Sequence, residues 1–168
     1  VLKTYKNQKN YVNPYFFMEK LSNVLANDDV VIADDGAHLT WTIQALKVLR
    51  NQRLFSAFGN SPMGYAFPAS IGASIALKKK KIICIDGDGS LMMNIQELST
   101  LKFLNLPIKL FILENNGYHS IRQSQQSHFS DNVAGTGSLD GLGFPNFMRI
   151  ANGFELEATT ISSKTELI

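Results

Sequence analysis

Cysteine is almost missing from this chain: Cys84 stands alone among 168 residues, so a disulfide framework is excluded. The lone thiol lies inside the apolar run Ile82, Ile83, Cys84, Ile85, where it reads as a buried core residue. A reducing, cytoplasmic setting is the matching expectation. No stretch approaches the roughly 20 consecutive apolar residues of a membrane-spanning helix, and the N-terminus lacks a basic-then-apolar signal pattern. An excess of one charge is missing too. Sixteen basic residues face fourteen acidic ones, for a formal charge of +2. The one dense basic cluster, Lys78 to Lys81, sits between two apolar segments with no aromatic or further basic residues around it. It reads as a solvated loop, not a nucleic-acid patch. Internal repeats and low-complexity tracts are absent. The chain also opens on Val1 without a methionine, which is expected of a fragment or a processed product.

What is present is apolar material in the right amount and order. With 45% hydrophobic residues, residues 1–168 suffice for one compact domain with a buried core. Short β-rich runs alternate with helical periods, the pattern of parallel βαβ units. Tyr15 to Leu25 has helical spacing, and Val30-Val31-Ile32-Ala33 reads as a strand covered on both faces, ending at Asp34-Asp35-Gly36. Leu39 to Leu49 predicts a helix and Arg53 to Phe58 a short edge strand. The turn-rich segment Gly59 to Gly64 leads into a small-residue helix over Pro68 to Leu77. Ile82 to Ile85 is the clearest strand, backed by a helix carrying Leu91, Ile95, Leu98, Leu101 and Leu104, and Ile108 to Leu113 is the next strand after Pro107. Gln123 to Pro145 turns polar and glycine-rich and is expected as a long loop. A helix over Asn146 to Asn152 and a last strand over Ala158 to Ile161 follow. The fold class is α/β, a three-layer, doubly wound, mostly parallel sheet with helices on both faces.

The chemistry concentrates in Ile85-Asp86-Gly87-Asp88-Gly89-Ser90, where a central strand ends and a helix begins, the place where open α/β sheets bind ligands. Gly87 and Gly89 let the backbone approach an anion, while Ser90 and the first helical amides aim donors at it. Asp88 puts a carboxylate in the same place, which requires a cation between the two charges. Alone, the turn is weak evidence and reads more readily as an ordinary tight turn. The second element is Glu114-Asn115-Asn116-Gly117-Tyr118 at the end of the next strand, with Asn115 twenty-seven positions after Asp88. Mg²⁺ takes near-octahedral oxygen ligands at about 2.1 Å and favours one or two carboxylates, neutral oxygens and phosphate. The Asp88 carboxylate, the Asn115 side-chain oxygen and the Gly117 carbonyl offer three positions, leaving the rest for two diphosphate oxygens and water.

Twenty-five residues separate Gly87-Asp88-Gly89 from Asn115-Asn116, and this pairing resembles the cofactor motif of thiamine diphosphate enzymes. Gly36-Ala37-His38-Leu39-Thr40-Trp41-Thr42-Ile43-Gln44 is similar to the Gly-Gln-His-Gln-Met-Trp-Ala-Ala-Gln stretch of the acetolactate synthase branch. Met63-Gly64-Tyr65-Ala66-Phe67-Pro68-Ala69 resembles its Met-Gly-x-x-x-Pro-Ala segment, and Ser120 to Gln125 its Val/Ile-Arg-Gln-x-Gln run. Glu114 replaces the first asparagine of many relatives, and Ala37 and Leu39 replace two glutamines. The likeness covers residues 13 to 160 and implies the C-terminal, diphosphate-binding domain of a three-domain enzyme.

By that resemblance Asp88, Asn115 and the Gly117 carbonyl bind Mg²⁺. Gly36, Ala37, His38, Gly87, Gly89, Ser90 and Tyr118 belong to the thiamine diphosphate site, Met63 lies beneath the bend between the cofactor's rings, and the Ser61 carbonyl is near the aminopyrimidine. Read without the family, His38 is a surface residue of a first helical turn, His119 and His128 are loop residues without a role, and Met63, Met92 and Met93 fill the core.

The resemblance places no catalytic residue in this chain, since the activating glutamate belongs to an absent pyrimidine domain of the same or a partner subunit, in a homodimer or homotetramer. The implied function is decarboxylation of pyruvate or a related 2-oxo acid with carboligation. Two other readings stay open: the small subunit of a two-chain 2-oxo acid decarboxylase, and a non-catalytic, Mg²⁺-dependent phosphate-binding module. Nucleic acid and membrane partners are not expected.

Overall fold

The computed structural model describes residues 11–130 and 132–167; the two ends of the 1–168 domain lie outside that range. The chain enters helix α1 (Pro14–Val24) through Asn13, whose side chain accepts from the amides of Tyr15 and Phe16 while Pro14 fills the first turn. These are the two residue types a helix N-terminus favours. Strand β1 (Val30–Ala33) follows, then helix α2 (Ala37–Ala45), the short strand β2 (Arg53–Phe55) and helix α3 (Ala66–Ala76). Strand β3 (Ile82–Gly87) runs into a single turn α4 (Asp88–Leu91), a 3-10 turn over Met92–Asn94 and helix α5 (Glu97–Leu104). Strand β4 (Ile108–Leu113) and helices α6 (His119–Phe129) and α7 (Phe147–Gly153) complete the order.

The four strands among the described residues are all parallel, in the order β2-β1-β3-β4. Because successive side chains on a strand face opposite ways, the apolar runs feed two cores. Val30, Ile32, Ile82 and Cys84 pack on one face against Phe67 and Ile71 of α3 and Leu98 and Leu101 of α5, with Phe147 and Ile150 of α7 at the margin. Val31, Ala33, Ile83 and Ile85 pack on the other against Met18 and Leu21 of α1 and Leu39 of α2. This is the expected three-layer, doubly wound fold. From β1 the chain proceeds to one side of the sheet and from β3 to the other, so a topological switch point lies between the carboxyl ends of these two central strands, where a crevice opens.

The Lys78–Lys81 run sits in the exposed turn before β3. Two of its members pair with the turn before β1, Lys80 with Asp28 at 2.5 Å and Lys81 with Asp29 at 3.0 Å.

Several sequence expectations are corrected. Gln123 to Phe129 is helical, as the body of α6, so the expected loop begins only at Ser130. No residue of α6 is buried; a helix with no buried face leaves no apolar period in the sequence. Ala158 to Ile161 forms no strand and is exposed. The single helix expected behind β3 is broken at Met92–Asn94, and Met93 is exposed instead of filling the core. Helix α2 ends at Ala45, four residues early, and β2 stops at Phe55. Helix α3 begins two residues before Pro68.

Candidate metal and diphosphate site

The loops after all four strands converge on one cleft of about 180 Å³. Its floor is Asp88, the first residue of α4, whose carboxylate is almost fully buried. One oxygen, Oδ1, accepts from the Gly89 amide at 2.8 Å. The other, Oδ2, reaches across to the end of β4 and accepts from the amides of Asn115 at 3.0 Å and Gly117 at 3.2 Å. Register explains the reach: β3 and β4 pair residue by residue up to Gly87↔Leu113, so both chains leave the sheet at the same level. The side-chain oxygen of Asn115, the residue whose amide bonds this carboxylate, is buried with no hydrogen-bond partner.

The Asn115–Tyr118 turn is tightly held from behind. Asn116 has φ +57° and Gly117 φ +151°, and a Cβ on Gly117 would lie 1.9 Å from the Thr136 carbonyl oxygen. Only glycine fits there. The Gly117 carbonyl accepts from the His119 amide at 3.1 Å, and a single antiparallel bridge joins Gly117 to Gly137.

From β1 the chain supplies Asp34, a buried carboxylate that accepts from the amides of Asp35 at 2.7 Å, Gly64 at 2.9 Å and Ala66 at 2.5 Å. The Ala66 bond caps α3 and accounts for its early start. The Asn94 side chain donates to the Gly64 carbonyl at 2.6 Å. Asp34 and Asn94 thereby clamp the turn that presents Ser61 and Met63 to the cleft.

His38, in the first turn of α2, is buried with its ring against Gly36 and Gly87; a Cβ on Gly87 would come within 2.8 Å of it. Its Nε2 has no partner. Burial pushes its pKa down to about 4, against a hydrogen bond with the Asp34 backbone, so the imidazole is neutral at pH 7. Asp86, at the end of β3, is fully buried. Its Oδ1 accepts from the Gly87 amide at 2.8 Å and from the Ser90 hydroxyl, while its Oδ2 is unpartnered. Burial, then repulsion from Asp34, pushes the Asp86 carboxyl up to about 7. Burial also raises Asp34, and Glu114 is raised by burial and then by Asp88. Acidic groups thus crowd this end of the sheet.

Every residue expected at the site lines this cleft: Gly36, Ala37, His38, Ser61, Met63, Gly87, Asp88, Gly89, Ser90, Asn115, Gly117 and Tyr118. Tyr118 covers Gly89, where a Cβ would meet its ring at 2.4 Å, and Phe144 meets it edge-on at 6.0 Å. His38 is buried, so the surface reading of it fails. Asp35, His119, Ser120 and Ile121 also line the cleft and were not expected there. His119 stacks toward Trp41 at 6.1 Å, a contact between chain segments that no local pattern announces. Asp34 and Asp86, which organise the cleft from beneath, were missed as well. Their signal was the repeated placement of an aspartate at the end of a buried strand just before a glycine-containing turn.

Residues 34–168 match the family model described as thiamine pyrophosphate enzyme, C-terminal TPP binding domain. The chain belongs to this family. Similar proteins include an acetolactate synthase large subunit of Porphyra purpurea, 36% identical over 146 residues, covering 87% of this chain and 24% of that protein. The acetolactate synthase isozyme 2 large subunit of Escherichia coli (strain K12) is 34% identical over 150 residues, covering 89% and 27%. The chloroplastic acetolactate synthase 1 of Zea mays is 30% identical over 167 residues, covering 97% and 26%. The domain therefore spans about a quarter of the length of the curated relatives it matches.

The residues present fit the family's cofactor. A thiamine pyrophosphate binding domain must bring an anionic tail next to acidic protein groups, which demands a cation. The buried, unpartnered Asn115 oxygen and the buried Asp88 carboxylate, both lining the cleft, are the hard donors such a cation uses.

Proposed function

We propose that this domain binds thiamine diphosphate through Mg²⁺ as the C-terminal part of an acetolactate-synthase-like enzyme acting on pyruvate or a related 2-oxo acid. One observation carries the reading: Asp88 joins the ends of β3 and β4 by bonding the amides of Asn115 and Gly117, while the side-chain oxygen of that same Asn115 is buried without a partner. An orphaned buried acceptor is costly, and a hard cation at that point relieves it. Asp88, Asn115 and the Gly117 carbonyl are the protein ligands in this reading. The amides at the start of α4 and the residues Gly36, Ala37 and His38, which line the cleft, would hold the diphosphate. When bound, thiamine diphosphate supplies the electron sink for breaking the bond to the carboxylate of a 2-oxo acid.

The protein's part here is to bind, orient and exclude water. Asp88 has its own oxygens fixed by three backbone amides, so it meets a cation without reorganising. Met63, on the turn clamped by Asp34 and Asn94, would support the cofactor's rings. The glutamate that activates the aminopyrimidine is assigned to another domain, of the same or a partner subunit in a homodimer or homotetramer. Cytoplasmic location belongs to the same proposal and rests on the single buried thiol.

Calorimetric titration tests the reading against a general phosphate module. The 1–168 chain should bind thiamine diphosphate in the presence of Mg²⁺ and prefer it to other phosphorylated ligands. It should release no CO₂ from pyruvate by itself. Equal binding of unrelated phosphates would favour the module, and turnover by 1–168 alone would refute the need for a second domain.

A further inference from the structure

Arg122, in α6, does not line the cleft, yet its guanidinium has three partners close behind the Asn115–Tyr118 turn. Its Nη2 donates to the carbonyl of Asn116 at 3.1 Å and to the carbonyl of Thr136 at 2.8 Å, and its Nε donates to the Thr136 hydroxyl at 3.2 Å. Thr136 is fully buried and is fixed in turn by Asp140, which accepts from the Thr136 amide at 2.8 Å and from its hydroxyl at 2.5 Å. The Thr136 carbonyl also accepts from the Tyr118 amide at 2.8 Å.

The peptide between Asn116 and Gly117 is the link to the site. Its carbonyl accepts from Arg122 on one side, and its amide donates to Asp88 Oδ2 on the other. A peptide group is planar, so fixing the carbonyl fixes the direction of the amide. Arginine's planar guanidinium holds the Asn116 and Thr136 carbonyls through Nη2 and the Thr136 hydroxyl through Nε at once, a two-nitrogen grip that lysine's single ammonium cannot reproduce.

We propose that Arg122, locked by Thr136 and Asp140, is a positioning residue that sets the peptide plane through which the metal-binding turn grips Asp88. This rests on the metal-site reading above. It makes a prediction opposite in sign to simple electrostatics, in which removing a cation from the neighbourhood should strengthen binding of another cation. Mg²⁺ demands near-ideal octahedral geometry, whereas Ca²⁺ tolerates variable ligand placement. A loosened turn should therefore cost Mg²⁺ more than Ca²⁺.

The test is calorimetric titration of Mg²⁺ and of Ca²⁺ into the full chain at saturating thiamine diphosphate, for wild type, Asp88→Ala, Arg122→Lys and Thr136→Val. Thr136→Val keeps the buried shape and removes the hydroxyl that joins Arg122 to Asp140, so the test survives if Arg122→Lys fails to fold. Wild type should bind and Asp88→Ala should not. Arg122→Lys and Thr136→Val should weaken Mg²⁺ about 10- to 100-fold, the usual scale for groups that orient metal ligands, and weaken Ca²⁺ by a smaller factor. Equal losses for the two ions, unchanged Mg²⁺ affinity, or tighter Mg²⁺ in the variants while Asp88→Ala still abolishes binding would overturn the positioning role alone. Absence of Mg²⁺-dependent binding in wild type would overturn both that role and the reading beneath it.

Discussion

His38 and Asp86 titrate in opposite senses beneath the cleft, and their opposition gives a pH signature that a single substitution should expose. Burial lowers His38 from its ordinary 6.5 to about 4. The unfolded chain thus takes up a proton below pH 6.5 that the folded chain refuses until about pH 4, and stability falls by about 3 kcal/mol as pH drops through that window. Asp86 moves the other way, from 3.8 to about 7, through burial first and Asp34 second. There the folded chain holds a proton that the unfolded chain has released, so stability is lost as pH rises from 3.8 to about 7. Between about pH 4 and 6.5 the two slopes cancel. Asp86→Asn removes one of them: the amide oxygen can keep the bonds to Gly87 and Ser90, and the His38 slope stands unopposed. Chemical denaturation of both proteins across about pH 4 to 7 reads the effect as a difference, in which groups that do not interact with Asp86 drop out. The variant should gain on wild type as pH rises, by a few kcal/mol over the window. A difference that stays constant with pH would show that Asp86 titrates near its ordinary value and would refute the reasoning.

Other expectations are simpler. Gly117→Ala forces a Cβ to within 1.9 Å of the Thr136 carbonyl at φ +151°, so a loss of about 3 kcal/mol or more is expected, read as a lowered denaturation midpoint. Phe67→Ala empties the core between α3 and the sheet, where Phe67 is fully buried, and should cost about 3–5 kcal/mol in the same assay. Asn94→Ala frees the Gly64 carbonyl and should weaken thiamine diphosphate binding in titration while shifting the melting temperature little.

What the sequence disclosed followed from burial. Strands β1 and β3 are buried apolar runs because helices cover both of their faces, and the edge strand β4 is apolar at every position but Lys109, so their ends, and with them the approach of Asp88 to Asn115, were predictable from spacing. Helix α6 was half hidden because it buries nothing, and its polar surface reads as loop. Ala158 to Ile161 misled for the opposite reason: β-branched residues suit a strand, but this segment pairs with no partner in the sheet. The break at Met92–Asn94 is imposed from outside the segment, where Asn94 turns to hold the Gly64 carbonyl. The Arg122–Thr136 brace was not legible because it joins segments fourteen residues apart through side chains, and Asp34 and Asp86 left only the weak signal of an aspartate ending a buried strand before a glycine-containing turn.

The central claim is that Asp88 and Asn115 hold a divalent cation that in turn holds a diphosphate. Its most direct test is calorimetric titration of thiamine diphosphate into wild type and Asp88→Ala, each with Mg²⁺ and with chelator. Binding that requires Mg²⁺ in wild type and disappears in Asp88→Ala is the predicted result. Equal affinity with and without Mg²⁺, or undiminished binding by Asp88→Ala, would contradict it.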